Sequence, residues 1–433
     1  MLTANRAIWL LAAALFVAGP IGTTVTAADT APPKFSDADW PGWRGPRHDG
    51  HANPNQQPPT EWSRGKNVVW RTEIPGRGHS SPTALGDRIF LATADEMEQI
   101  QSVLCYDRAT GKRLWKTDVH RGGFEFKNKK ASLASSTVAT DGQRLFINFP
   151  NSGALTTTAL SLNGEQLWQT KITDYEEHQG YGSSPMLYDA LVLVSADNKA
   201  GGAIAGLNRE TGDIVWRHER PKKPNYASPI VVRAAGRDQV VMTGCDLVSG
   251  FDPASGKKLW EVDGATTECV TSTVSDGKLI FTSGGYPENH VCAVRADGSG
   301  EIAWKNNTRV YVPSMLLKDG YLYAVTDAGV AVCWEAATGK EQWKSRLGGT
   351  FSSSPVLVGE SIYAVNEGGK AFVYRADPSE FESIATSQLG DEVFATPTIC
   401  GGRIYLRVAE NTDRGRQELL YCLGSSPENA AAK

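Results

Sequence analysis

The chain has 433 residues, 40% of them hydrophobic and 44 of them Gly, too long for one ordinary core unless that core is built by repetition. Its formal net charge is −4, and setting aside a leader that holds Arg6 leaves 43 basic and 48 acidic residues. That near-neutral balance gives no electrostatic case for nucleic acid.

Residues 1–27 read as a signal peptide. Arg6 supplies the positive end, and Ala7–Ala18 is an apolar run too short to span a bilayer. Val25-Thr26-Ala27 fits a small-residue cleavage site. No other stretch is long and apolar enough for a membrane helix, and the first Cys is Cys105, so no Cys near the leader carries a lipid anchor. The expected home is the periplasm, or secretion.

Residues 28–66 are rich in Pro and polar residues and read as an extended strap on the folded domain. Trp40 and Trp43 are its expected pins. Arg44, His48 and Asp49 in the same stretch are the alternative, a polar site.

From residue 67 two signals interleave. One is a Gly four residues before a Trp, as in TGKRLW at Thr110–Trp115, and again at Asn163–Trp168, Thr211–Trp216, Ser255–Trp260, Ser299–Trp304 and Thr338–Trp343. Gly closes a tight turn at positive φ, the hydroxyl or amide before it holds the turn, and Trp is the apolar payload of the strand that follows. Burying one such Trp removes roughly 150–250 Å² from water, on the order of 4–6 kcal/mol gross. A Trp repeated at one place in a unit is inter-blade packing. The second signal is a small-residue pair opening a hydrophobic run: Ser81-Pro82, Ser136-Thr137, Ser184-Pro185, Ser228-Pro229, Ser272-Thr273, Ser314-Met315, Ser354-Pro355 and Thr396-Pro397. Their mean spacing of 45 residues is that of solenoids or propellers.

Each unit reads as four short strands without a helical pattern, which is a propeller blade. The eighth unit stops after its third strand, Glu418–Leu423, and Asn67–Glu73, carrying Trp70, is a spare strand that completes it. The expectation is an all-β, eight-bladed β-propeller of four-stranded blades over 67–424, its ring closed by an N-terminal strand, with a disordered tail over 425–433. Unit seven has a degenerate turn, Ala376–Phe381, and no Trp.

Seven Cys cannot all pair within the chain, and there is no CxxC to support a zinc or redox site. Cys105, Cys333 and Cys422 fall at similar points of third strands, with Cys292 close by, and read as packed small apolar residues. Cys245 and Cys269 lie nearer loops and are the two that could pair. The sequence holds no P-loop, HExxH, GxSxG or EF-hand loop.

Just before the first strand of most units stands an aromatic or His: His79, Tyr181, Tyr226, Tyr311, Phe351 and Phe394. First strands are innermost, so these side chains should ring one mouth of the channel, with Arg77, Gln179, Asn225, Glu268, Arg309 and Glu392 nearby. An aromatic cup with a few polar groups reads as a ligand site, and equally as rings packed between blades. Two long connections should open on the same face: His120–Ala134, with Phe124, Phe126, Lys127, Lys129 and Lys130, and Thr173–Gly180, with Asp174, Glu176 and Glu177.

The repeated TGxxxW turn and small-residue first strand resemble the pyrroloquinoline quinone (PQQ)-like repeat family over about 67–424, and WPGWRGPRHDG resembles the N-terminal tag of exported bacterial members. The resemblance implies one of two branches. Quinoprotein dehydrogenases hold PQQ and calcium over an eight-bladed ring; the other branch is non-enzymatic, BamB of outer-membrane protein assembly being the familiar case. This chain has no adjacent Cys pair, little inserted material, and no Glu–Asn–Asp calcium set that aligns residue by residue. The leading expectation is therefore an exported scaffold binding a periplasmic protein or peptide. The alternatives are a PQQ-dependent oxidoreductase of an alcohol or sugar, and a small-ligand or glycan binder.

Overall fold

The computed structural model describes residues 34–125 and 128–425; the leader expected over 1–27, Phe126, Lys127 and the tail beyond residue 425 lie outside the described residues. The described residues form eight antiparallel four-stranded sheets and no helix. Seven sheets run inner to outer in chain order. The eighth takes three strands from the C-terminal end, and Val68–Ile74 supplies its outer strand, with Trp70 opposite Cys422. The ring is an eight-bladed β-propeller closed by pairing the two ends of the chain in one blade.

The Trp positions show how sequence becomes packing. Opposite each outer-strand Trp stands a small residue: Cys105, Ala159, Gly206, Gly250, Ala293, Cys333 or Cys422. A β-bulge sits beside each of these pairs and turns the indole toward the next blade. For five of the seven, all but Trp260 and Trp343, it lies there on the Gly of the following turn. A Cβ on Gly111 would sit 2.5 Å from Trp70, and one on Gly256 2.4 Å from Trp216. The turn Gly therefore answers both a positive φ and a neighbour's ring. Six of the seven indole N–H groups donate to the next blade's backbone, as Trp70 to Arg108 O at 3.1 Å and Trp115 to Leu162 O at 3.1 Å, whereas Trp260 donates to Gln239 Oε1 of its own blade.

Blade seven has Ala385 where the others have Trp. The strap supplies the missing ring. Trp62 is buried in the cluster that holds Tyr363, Val373 and Ala385, and it stacks on Tyr363 at 6.5 Å and 10°. Tyr363 is the counterpart of Tyr405, Phe90 and Tyr323, which face the Trp of their own blades.

The inner strands are tied by hydroxyls. The Ser81 N–H donates to Thr137 Oγ1, Thr137 to Ser184 and Ser184 to Ser228, at 3.2, 2.9 and 2.9 Å. The series continues from Ser272 to Ser314, Ser354, Thr396 and back to Ser81, at 3.0, 2.9, 2.9 and 3.1 Å. The small-residue signal is thus a hydroxyl requirement. It also corrects the register of blade two: Thr137, not Ser136, is the counterpart of Ser81, 56 residues on.

The strap runs across the end of the channel where inner strands turn back. Trp40 bridges Ala84 of blade one, Arg44 donates to Met315 O of blade six, His51 bridges Leu357 of blade seven, and Gln56 donates to Ile399 O of blade eight. Between them the Trp43 indole donates to Ser272 Oγ at 2.7 Å and closes the channel. Arg44 is buried and its pKa falls to about 10 by desolvation, so it is a strap pin. His48 holds Trp43 O at 3.0 Å, and Asp49 pairs with Arg47 at 3.2 Å. All seven Cys are buried and free, and the possible Cys245–Cys269 bridge is not formed. Instead the Cys245 thiol donates to Lys223 O and the Cys269 thiol to Thr266 O.

Candidate functional site

The opposite mouth is open. The residues that precede the inner strands enclose a cavity of about 710 Å³ whose floor is Trp43 and the ring of hydroxyls. His79, Tyr181, Tyr226, Glu268, Arg309, Tyr311, Phe351 and Phe394 all line it. They are brought together because the approach to each inner strand reaches the same rim.

These residues play unequal parts. Tyr181 donates to Ser195 O at 2.8 Å and accepts from Asn148, so its hydroxyl is satisfied inside the wall. Phe351 is buried against Phe372. His79 and Phe394 stack at 4.4 Å across the junction of blades eight and one. Of the nearby polar residues, Gln179 also lines the cavity. Asn225 is buried on Asp197 and Thr243 O, Arg77 bridges Ala94, and Glu392 pairs with Arg416, so these three serve the fold.

The polar chemistry gathers at blades five and six. Glu268 is buried, and its carboxylate accepts from the Tyr311 hydroxyl at 3.1 Å. His178 Nε2 stands 3.3 Å from its other oxygen. Asp327 Oδ2 accepts the Tyr311 backbone N–H at 2.8 Å, and burial raises its pKa. Burial first, and then the Glu268 charge, pushes the Tyr226 and Tyr311 phenols well above their usual range. Arg309 lies 4.9 Å from the centre of the Tyr311 ring.

The two long connections form a partial roof. Asn128 donates to Gln179 Oε1 at 2.6 Å, joining one to the other. Lys130 reaches Glu367 of blade seven at 3.0 Å, while His178 reaches Glu268 ahead of blade five. His178, Asp327, Glu367, Tyr286 and Trp43 line the cavity and were not singled out as site residues from sequence. A signal existed for two of them. Thr326-Asp327 and Asn366-Glu367 place a carboxylate at the same point of equivalent turns, between second and third strands.

Comparison with known proteins places this geometry in a family. A family profile described as "Outer membrane protein assembly factor BamB" matches residues 61–178, 99–307 and 287–380. The outer membrane protein assembly factor BamB of Burkholderia pseudomallei is 24% identical over 78% of this chain and 84% of that protein. The polyvinylalcohol dehydrogenase of Sphingopyxis sp. is 24% identical over 81% of this chain and 52% of that enzyme. Among solved structures, a europium-containing methanol dehydrogenase superposes with a TM-score of 0.64 at 11% identity, covering 90% of this chain and 98% of that one, a likeness of fold alone. The matched residues span most of the ring, and the chain belongs to the BamB family of PQQ-like β-propellers.

Proposed function

We propose that this protein is an exported, non-enzymatic propeller that binds a segment of a protein or peptide at the mouth opposite the strap. The observation that carries this reading is the cavity itself. It is closed below by Trp43, open above and partly roofed by loops, and lined by aromatic rings with a few fixed polar groups. Family membership supports a protein partner, since the matching family and the Burkholderia relative are described as an outer membrane protein assembly factor. The expected leader supports export, with the periplasm as the place of action.

The dehydrogenase relatives raise the alternative of PQQ with calcium, and the residues present do not fit that pair. PQQ is a tricarboxylate, whereas this wall presents Glu268 and Asp327, and both of its Lys and Arg side chains, Lys130 and Arg309, already have protein partners. Among the described residues no three His, Cys, Asp or Glu side chains converge to hold a metal. The test is a titration of purified protein with PQQ and calcium, read by absorbance and melting temperature, beside affinity capture from an envelope extract. No saturable shift together with a discrete captured protein is expected; a saturable shift near one equivalent would overturn the scaffold reading.

A further inference from the structure

We infer that the open mouth recognises a cationic side chain, of lysine or arginine type, carried on an extended peptide and received by Glu268 and Asp327 between the rings of Tyr226 and Tyr311. This rests on the scaffold reading above and names what that scaffold reads.

The argument begins with charge that the protein leaves unmatched. Glu268 is 4% exposed, and a buried carboxylate is costly unless paired. Among the described residues neither Glu268 nor Asp327 makes an ion pair with Lys or Arg. The one ionisable cation on Glu268 is His178, at 3.3 Å, which is charged only when protonated. The two permanent cations of the wall bond elsewhere, Arg309 acting on Asp327 only through its field and not by a direct pair. Arg309 donates to Gly285 O at 2.6 Å and to Asn289 Oδ1 at 3.3 Å, and Lys130 sits on Glu367.

A second observation points to the same place. The Tyr226 hydroxyl is buried at this wall beside the Glu268 carboxylate, to which its O–H is turned, and no donor among the described residues is bonded to its oxygen. It offers a lone pair to an incoming N–H donor. The rings of Tyr226, Tyr286 and Tyr311 line the same cavity, and Tyr311 already carries the Arg309 guanidinium 4.9 Å from its centre, a cation on a ring quadrupole at this wall. The floor of Trp43 and hydroxyls admits a ligand from one side only, which suits a long unbranched side chain entering head first. The cavity is also large enough for neighbouring peptide atoms.

The test is a random heptapeptide display library panned in parallel against the purified protein and its Glu268→Gln variant. The expected result is an enriched pool in which Lys or Arg recurs at a fixed place. Replacing that residue by Gln in a selected peptide should weaken binding at least about tenfold, and so should Glu268→Gln at unchanged melting temperature. Should Glu268→Gln not fold, Asp327→Asn takes its place with the same expectation. Enrichment without Lys or Arg, or binding indifferent to both variants, would overturn this inference and leave the scaffold reading standing. Failure to enrich any peptide would overturn the scaffold reading instead. In that event n-butylamine raising the melting temperature of the wild type but not of Glu268→Gln would keep the cation preference, and no effect would remove it as well.

Discussion

The two mouths of the channel are built on the same eight inner strands and have opposite chemistry. At the strapped mouth the chain closes on itself: Trp40 and His51 form backbone bridges, Arg44 is buried against a carbonyl, and Trp43 seals the axis. Nearly every polar contact there is to backbone, which holds position and reads nothing. At the open mouth the repeat stops short of closure. Buried carboxylates, tyrosines and a His face a cavity, and the roof comes from loops of blades two and three. Part of the difference comes from segments outside the repeat, the strap at one end and two long loops at the other, and part from the residues that the blades themselves present at the open rim.

Five substitutions, one of them read across pH, test the ring and its two mouths, in order of expected effect. Arg407 lies between blades eight and one, ion-paired with Glu418 and donating to Ala92 O at 2.7 Å. Arg407→Ala leaves the buried Glu418 carboxylate with Arg416, at 2.9 Å, as its remaining cation and unpairs Ala92 O, and should cost about 3 kcal/mol in denaturant unfolding. If it costs little, ring closure does not depend on that pair. Trp62→Ala empties the seat that the strap fills in blade seven, and should cost about 3 kcal/mol while peptide binding at the far mouth persists. A loss of binding in that variant would break the proposed independence of the two ends.

His290 is buried, with its pKa depressed to about 4 from 6.5, by desolvation first and Lys305 second. The unfolded chain therefore holds the extra proton between those values. Stability is full above pH 6.5 and is lost as pH falls toward 4, by up to the order of 3 kcal/mol. His48, His51 and His120 are lowered in the same direction. His290→Phe should flatten part of that slope, measured by unfolding at pH 4.5 and 7.5. Ser272→Ala removes the acceptor of the Trp43 indole and should cost about 1 kcal/mol, with a change in Trp fluorescence. Smallest in stability is Glu268→Gln, whose effect should fall on ligand binding and leave thermal unfolding close to wild type.

Much of the ring was legible because its signals are local and repeated. A Gly four residues before a Trp states a turn, a strand and a neighbour contact at once, and Val68–Ile74 against Gly415–Leu423 follows from counting what the eighth unit lacks. The small residues before each inner strand were legible as position but not as purpose, because a hydroxyl ring forms only when eight distant segments meet. The same limit hid Trp62. Nothing local in ATSQ says that a ring more than 300 residues upstream fills its empty seat. At the mouth, the aromatic residues announced themselves by recurrence in the repeat. His178 and the pairing of Lys130 with Glu367 did not, since each joins parts of the chain whose meeting depends on loop path.

The central claim is that recognition belongs to the mouth away from the strap. A photo-crosslinking amino acid in place of Tyr286, an exposed residue on the rim of the cavity, is compared with one in place of Pro46, exposed on the strap. Both variants are irradiated in cells and resolved by mass. The account predicts a discrete adduct from position 286 and none from position 46. An adduct from position 46 alone would contradict it and move the binding surface to the strapped end.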